Sequence, residues 1–373
     1  MPTSLDPCPC RTAAALSLAI ALAAGLPGPA SAQPPDEPPA PAGPPLSQAE
    51  ALAALEKEIR GRSDDGRFSG VVLVAKDGKV VLTRAVGLAQ REHETPMRED
   101  TRFNLGSINK AFTRVAILQL VEAGKIDLDA PFARYWPDYP DPEIAAKVTV
   151  RQLLDMQSGL PDIFNERFAA TPRDRLRSLA DYLQLFTGQP LDFEPGTQRR
   201  YSSAGYVVLG LLIERLSGQT YYDYVRRHIF APAGMTSTDS YALDEIVPGR
   251  ATGYTRRQGG RGPGEARHAN TPDAPLRANY HSLPARGSSA GGGYSTARDL
   301  LAFGRALRAG KVVESDFWRR NGGLGVAGGA PGINALLEDD WVSGWTVIVL
   351  ANLDPPAAEE LGKIAIELVG RVR

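Results

Sequence analysis

The sequence predicts an α+β fold, an α/β sandwich in which an antiparallel sheet is flanked by helices and has a helical subdomain alongside. Three observations carry this. Two β-branched runs, residues 70–75 and 79–86, are joined by Asp77-Gly78, a pair whose backbone suits a tight hairpin turn. Two more short strands, 333–337 and 345–351, lie near the other end of the chain. Between them runs a helix-rich stretch broken by turn material at 135–142, 158–162 and 194–196. Strands at both ends with helices inserted between them require a sheet assembled from distant parts of the chain. A cleft between that sheet and the helical insert is where a binding site is expected.

The elements follow in order. Arg11 precedes an apolar run at 13–26, and Ala30-Ser31-Ala32 supplies a small-residue cleavage site, the pattern of a secretory signal peptide. Residues 1–32 are therefore expected to be removed near Ala32, leaving a secreted or periplasmic protein with no membrane span. An uncleaved anchor is the competing reading, although the run is short for a span. Cys8 and Cys10 both fall in this segment, so the mature chain would have no disulfide, no cysteine nucleophile and no thiolate metal site. Residues 33–46 are proline-rich and suit a stiff linker. The folded domain is expected at 47–373, with a sheet subdomain at about 47–125 and 290–373 and a helical subdomain at about 126–289. It opens with a helix at 47–60, capped by Ser47 and with Leu52, Leu55 and Ile59 at helical spacing. Residues 256–290 read as loop, rich in Gly, Pro and Arg. Helices return at 296–309 and 357–372, and no internal repeat occurs.

Lys and Arg total 42 against 43 for Asp and Glu, a formal net charge of -1. Such balance gives no long-range attraction to nucleic acid or an anionic membrane. Arg199-Arg200 and Arg256-Arg257 read as solvated surface. The expected partner is a small-molecule, peptide or ester substrate.

The chemistry centres on Ser107-Ile108-Asn109-Lys110, ahead of the apolar-periodic run AFTRVAILQLVEAG. Asn104-Leu105-Gly106 breaks regular structure before it, and Gly124 ends the helix. Ser107 then falls in the first turn, with Lys110 on the same face. A serine hydroxyl is a poor nucleophile until a base takes its proton. A lysine serves as that base where its surroundings disfavour the charged form, and a helix N-terminus supplies suitable positive potential. The same free N–H groups can hold an oxyanion. By itself the tetrapeptide is equally a serine cap with a surface lysine one turn on.

The longer context settles which. FNLGSINKAFTRVAILQLVEAGKIDLDAPFARYWPD, VTVRQLLDMQSGLPD, the segment from EPGTQRRYSSAGYVVLGLLIERLSG to IFAPAGMTST, and GGGYSTARDLLAF together resemble the serine β-lactamase and penicillin-binding-protein-like superfamily. The resemblance is to its class C-like branch, which includes D-amino-acid peptidases, β-lactamases and carboxylesterases, and it covers nearly the whole chain beyond the linker. It implies the β-lactamase/transpeptidase-like fold. It also implies a Ser-x-x-Lys helix at Ser107 and Lys110, a tyrosine motif at Tyr201-Ser202-Ser203, and a third motif near Val326-Ala327-Gly328-Gly329. By the same resemblance Tyr201 shuttles protons with Lys110, the backbone N–H groups of Ser107 and Gly329 form the oxyanion hole, and Ser203 and Gly328 adjoin the substrate.

Two positions depart from the family pattern. Ser203 stands where asparagine is usual, and serine is shorter and lacks the amide's paired donors and carbonyl, so a contact with Lys110 would need a water. Val326 stands where the family has lysine or histidine, and no lysine or histidine occurs between Asn321 and Gly332. This argues against substrates recognised by a terminal carboxylate, such as β-lactams and peptidoglycan stem peptides, and shifts the expectation toward esters within a reading that still includes carboxylesterase, D-amino peptidase and β-lactamase activity on an ester or amide. The stretch 311–325 is short beside the family, which predicts the loss of part of an edge strand. Met156-Gln157-Ser158-Gly159 occupies the position of a further family motif that is more often structural. A catalytically weakened penicillin-binding-like protein with a binding role is the rival reading.

Other mechanisms fare worse. Gly287-Ser288-Ser289-Ala290-Gly291 fits the nucleophile-elbow pattern of α/β-hydrolases, but the last histidine, His281, precedes it, whereas those enzymes need one later. It reads as a glycine-rich loop. His93, His228, His268 and His281 are not at metal-ligand spacing. No phosphate loop or dinucleotide fingerprint occurs, and no cofactor or metal is expected.

Overall fold

The computed structural model describes residues 43–257 and 274–373. The signal segment, both cysteines, His268 and all but the last four residues of the proline-rich linker lie outside the described residues. Helix α1 spans Gln48–Asp64. Its capping box is complete: the Glu50 N–H donates to Ser47 Oγ at 3.2 Å and the Ser47 N–H donates to Glu50 Oε2 at 2.8 Å, so two otherwise unpaired N–H groups are satisfied reciprocally. Ala51, Leu55 and Ile59 form its buried stripe.

The sheet has five strands: β1 (Gly70–Lys76), β2 (Lys79–Val86), β3 (Gly323–Ala330), β4 (Ile333–Asp340) and β5 (Trp345–Ala351), in the order β2-β1-β5-β4-β3. Every neighbouring pair is antiparallel. The hairpin residues Asp77 and Gly78 both have positive φ, 49° and 71°, the primed-turn geometry that matches strand twist. At the centre, Val72 pairs with Val349 and Leu73 with Ile348.

Because successive side chains point to opposite faces, β1 and β5 feed two cores. Val72, Val74, Val347 and Val349 pack on one side with α1 and the last helix. Val71, Leu73, Ile348 and Leu350 pack on the other with the helical insert. Burial on both faces is why these two strands read as nearly unbroken apolar runs. The remaining long helices are α2 (Asn109–Glu122), α3 (Ala204–Ser217), α4 (Ala297–Arg308) and α5 (Ala357–Gly370). α5 lies with α1 on the outer face, whereas α2, α3 and α4 contribute to the inner core. From Ala204 to Ile213 every residue of α3 is buried, as befits a helix surrounded by protein. One core therefore runs without a break from the sheet face through α2 into the 126–289 segment.

The shortened stretch before the third motif has not cost the edge strand: β3 pairs with β4 across eight positions, from Gly323–Asp340 to Ala330–Ile333. The pairing needs only backbone groups, which is how a strand of sequence GLGVAGGA survives. Few of its side chains reach the core, so its placement rests on the ladder and on close backbone contacts.

One further contact fixes its far end and overturns a sequence expectation. Arg257 is not solvated surface. Its side chain is 11% exposed and lies against Asp354, with Nε 3.8 Å from Oδ1. Asp354 also accepts from the backbone N–H groups of Arg256 and Gly332, each at 2.8 Å. Gly332 is the turn between β3 and β4, so the Arg256-Arg257 segment and the β3–β4 turn are held by one carboxylate. Arg200 follows expectation as an exposed residue, paired with Asp192.

Candidate active site

Ser107 lies in a single 3-10 turn, Gly106–Ile108, that runs directly into α2. Gly106 has φ of 51°, and a side chain there would meet the Gly329 amide nitrogen at 2.9 Å. A glycine is thus required on two counts, conformation and space. Asn104 Oδ1 accepts the Gly106 N–H at 3.0 Å and steadies the turn.

Lys110, one turn on, is 7% exposed. Its Nζ donates to Ser107 Oγ at 3.2 Å and to the Ala290 carbonyl at 2.6 Å. It makes no ion pair among the described residues, and instead sits 4.8 Å from the Tyr201 ring centroid and 5.5 Å from that of Tyr206. The Tyr201 hydroxyl shares a hydrogen bond with Ser107 Oγ, and its side chain stands 44% exposed at the mouth. Ser107 Oγ therefore touches both groups that could take its proton. Tyr206 is different: its hydroxyl donates to the Leu154 carbonyl at 2.9 Å, and burial pushes its phenol up, so it stays a neutral part of the floor.

Gly329 lines the cleft beside Ser107, and its nitrogen lies close to the nucleophile turn, 2.9 Å from where a side chain on Gly106 would begin. Gly328 does not share that role. A side chain on it would lie 2.0 Å from the Leu105 carbonyl and 2.8 Å from the Ser107 nitrogen. It is a spacer that lets β3 close on the nucleophile turn, and unlike Gly329 it is not among the residues lining the cleft. Ser203 is buried and lines the cleft, but the Lys110 hydrogen bonds go elsewhere. Its N–H instead bonds Asp162 Oδ1 at 3.3 Å at the head of α3. Val326 is partly buried and packs against the main core, so no cation stands at the third motif.

The Ala290 carbonyl was not foreseen. Residues 288–293 run alongside the nucleophile helix: Thr113 Oγ1 donates to the Ser289 carbonyl at 2.7 Å, and the Gly293 N–H donates to Asn109 Oδ1 at 3.1 Å. The glycine-rich loop is thus no nucleophile elbow but one wall of the site, and it supplies the acceptor that orients Lys110. A backbone acceptor leaves no residue-type signal. Its trace in the sequence is the glycines themselves, since a side chain on Gly291 would come within 3.0 Å of the Gly106 carbonyl.

The segment Met156-Gln157-Ser158-Gly159 holds the irregular segment leading to Tyr201. The Arg200 N–H donates to the Met156 carbonyl at 3.0 Å, Gly196 to Gln157 at 2.9 Å, and Asp192 to Gly159 at 2.8 Å. Met156 itself has φ of 59°, an uncommon conformation for a residue with a side chain. Among the described histidines, His93 and His281 are exposed, and His228 is partly buried, stacked on Tyr224 with ring centroids 4.4 Å apart. No group of three or more metal-binding side chains occurs among the described residues. No described helix is long and apolar enough to cross a membrane.

A serine bonded to both a buried lysine and a tyrosine hydroxyl, with the Gly329 backbone beside it in the cleft, is an arrangement that can support serine-nucleophile acyl transfer. The chain belongs to the beta-lactamase family, whose model matches residues 55–347. It is 30% identical over 300 residues to the penicillin-binding protein PbpX of Bacillus subtilis, covering 76% of this chain and 70% of that protein. It is 32% identical over 331 residues to esterase EstB of Burkholderia gladioli, covering 80% and 83%. The structure of a penicillin-binding protein from Bacillus halodurans superposes with a TM-score of 0.72 at 29% identity, covering 83% of this chain and 99% of that one. Other curated relatives are longer, and the matched regions span 38% and 59% of two of them. The fold is the β-lactamase/transpeptidase-like one, and the chain is a β-lactamase-related serine hydrolase by family.

Proposed function

We propose that the protein is an exported hydrolase that cleaves esters through an acyl-enzyme on Ser107. The observation that carries the ester preference is the lining of the cleft beside Ser107. It includes Ile163, Phe164, Tyr241, Leu243, Leu283, Pro284 and Tyr294, and no Lys, Arg, His, Asp or Glu is among its described residues. A substrate carboxylate would enter that space unpaired, which is costly in an apolar surround. An ester brings no charge and needs none. The family resemblance to an esterase supports the same reading.

In this mechanism Ser107 Oγ attacks the ester carbonyl while its proton passes to Lys110, with Tyr201 bridging. The oxyanion is held by the N–H groups of Ser107 and Gly329, for which no side chain is needed. The proton then returns through Tyr201 to the leaving alkoxide, and the alcohol departs. Water, deprotonated by the same pair, attacks the acyl-enzyme and releases the acid.

The test compares wild type with Ser107→Ala on p-nitrophenyl butyrate, on nitrocefin and on a D-amino-acid amide. Ester turnover should dominate and fall by about three orders of magnitude or more in the variant. Faster hydrolysis of the β-lactam or the amide would overturn the ester preference. Covalent labelling of Ser107 without turnover of any of the three would instead favour the binding-protein reading. Export is read out separately, by the mass of the secreted chain: it should begin at Gln33, and a full-length mass would contradict cleavage.

A further inference from the structure

We propose that Leu243 and Leu283 form a thin partition that closes the distal end of the acyl pocket and limits the chain length of the acyl group. The proposal rests on the ester reading and sharpens it to short, uncharged acyl chains.

Three cavities meet at these two leucines. The first, of about 90 Å3, contains Ser107 and is mainly apolar. The second, of about 340 Å3, is lined by Gln90, Arg250, Thr252, Asn279 and Asn352 among others and is far more polar. The third, of about 370 Å3, is lined by Arg173, Asp174, Arg177 and Tyr280. Leu243 and Leu283 are common to all three. A residue lining a cavity on several sides has no second layer of packing behind it, so its side chain alone is the wall. Asn104, Tyr294 and Ile333 complete the division between the first two cavities.

The occupant follows from the covalent geometry, because whatever fills the first cavity is attached to Ser107 in the acyl-enzyme. A dry apolar cavity of about 150 Å3 holds a benzene ring, so this smaller space, part of it at the mouth where the alcohol leaves, takes a short chain. That suits acyl groups of about four to six carbons. A longer chain would have to displace a leucine or fold back towards solvent. The backbone that carries the partition is anchored. The Leu243 N–H donates to the Ala285 carbonyl at 2.6 Å, and Leu283 follows directly on the single turn Tyr280–Ser282.

The experiment measures kcat/KM for p-nitrophenyl esters of four and ten carbons in wild type, Leu283→Ala and Leu243→Ala. Second-order rates for labelling of Ser107 by butyl and decyl fluorophosphonates are measured in parallel. Wild type should prefer the four-carbon ester. In at least one variant the ten-to-four-carbon ratio should rise about tenfold or more, within the 10–200-fold range that misfit of a single methylene commands. The labelling ratio should move the same way, and thermal melts identify a variant that has lost its fold. Ratios within twofold of wild type in both folded variants would overturn the partition. Absence of Ser107-dependent turnover with every ester would sink the ester reading instead, and the phosphonate ratio would still decide the partition.

Discussion

Lys110→Met should lower the rate of Ser107 acylation by about three to four orders of magnitude while leaving the melting temperature within a few degrees of wild type. General-base assistance is worth about 10²–10⁴-fold, and residues that act as a unit lose nearly the whole effect when one is removed. Lys110 contacts Ser107 Oγ directly at 3.2 Å, and the other partner of that hydroxyl, Tyr201, has no base behind it once the lysine amine is gone. Stability should respond weakly because Lys110 has no carboxylate to orphan among the described residues. Methionine keeps an unbranched apolar stem of similar reach beside the Tyr201 and Tyr206 rings, which the Lys110 nitrogen approaches. The change does leave the Ala290 carbonyl without its donor, a cost of about 1–3 kcal/mol. Stopped-flow labelling with a fluorophosphonate, beside a thermal melt, checks both halves. A large drop in melting temperature with an unaltered labelling rate would make Lys110 structural.

Gly328→Ala should be far more damaging than Gly329→Ala, although both lie in the same glycine pair. At 328 the added methyl would stand 2.0 Å from the Leu105 carbonyl and 2.8 Å from the Ser107 nitrogen, both of them backbone atoms that cannot step aside. The edge strand must retreat by an ångström or more, carrying the Gly329 N–H with it. Loss of one oxyanion donor costs about 10²–10³-fold in kcat, and that is the drop expected for Gly328→Ala. At 329 the closest atom the methyl would meet is the side-chain carbon Pro355 Cγ, at 3.0 Å, with Asn334 Nδ2 and the Ile333 carbonyl at ordinary contact distances of 3.8 and 3.9 Å, and the N–H that matters is unchanged, so an effect within about fivefold is expected. Ester kinetics on the two variants check this. Equal losses, or a greater loss at 329, would mean that β3 does not set the oxyanion geometry.

The different legibility of these residues in the sequence has physical causes. The hairpin at Asp77-Gly78 and the two central strands could be read directly, because a turn needing positive φ and a strand buried on both faces each restrict residue choice severely. The α1 cap at Ser47 was legible for the same reason. Ser107, Lys110 and Tyr201 were legible only through the family resemblance, since a serine three residues before a lysine is common on surfaces. The structure brings all three into hydrogen-bond or ring contact.

What stayed hidden is mostly backbone chemistry. β3 is held through main-chain pairing and close approach, so its glycines look like loop. Ala290 contributes a carbonyl, which any residue has. The resemblance places both Gly328 and Gly329 at the substrate, and only the structure shows that alternation along the strand turns Gly328 toward Leu105 and the Ser107 turn while Gly329 lines the cleft. Arg257 was misread because a pair of arginines resembles surface until its buried carboxylate, Asp354, is seen nearly a hundred residues later. Leu243 and Leu283 fit no periodic pattern, and only the three cavities meeting at them reveal what they separate.

Ser107 Oγ is expected to form the acyl bond, with Lys110 as its activating base. The most direct measurement is peptide mass mapping of the protein after exposure to a fluorophosphonate, with Lys110→Met in parallel. A single adduct on the peptide carrying Ser107, formed about a thousandfold more slowly in Lys110→Met, is the predicted result. An adduct on any other residue, or labelling of Ser107 at the same rate in both proteins, would contradict it.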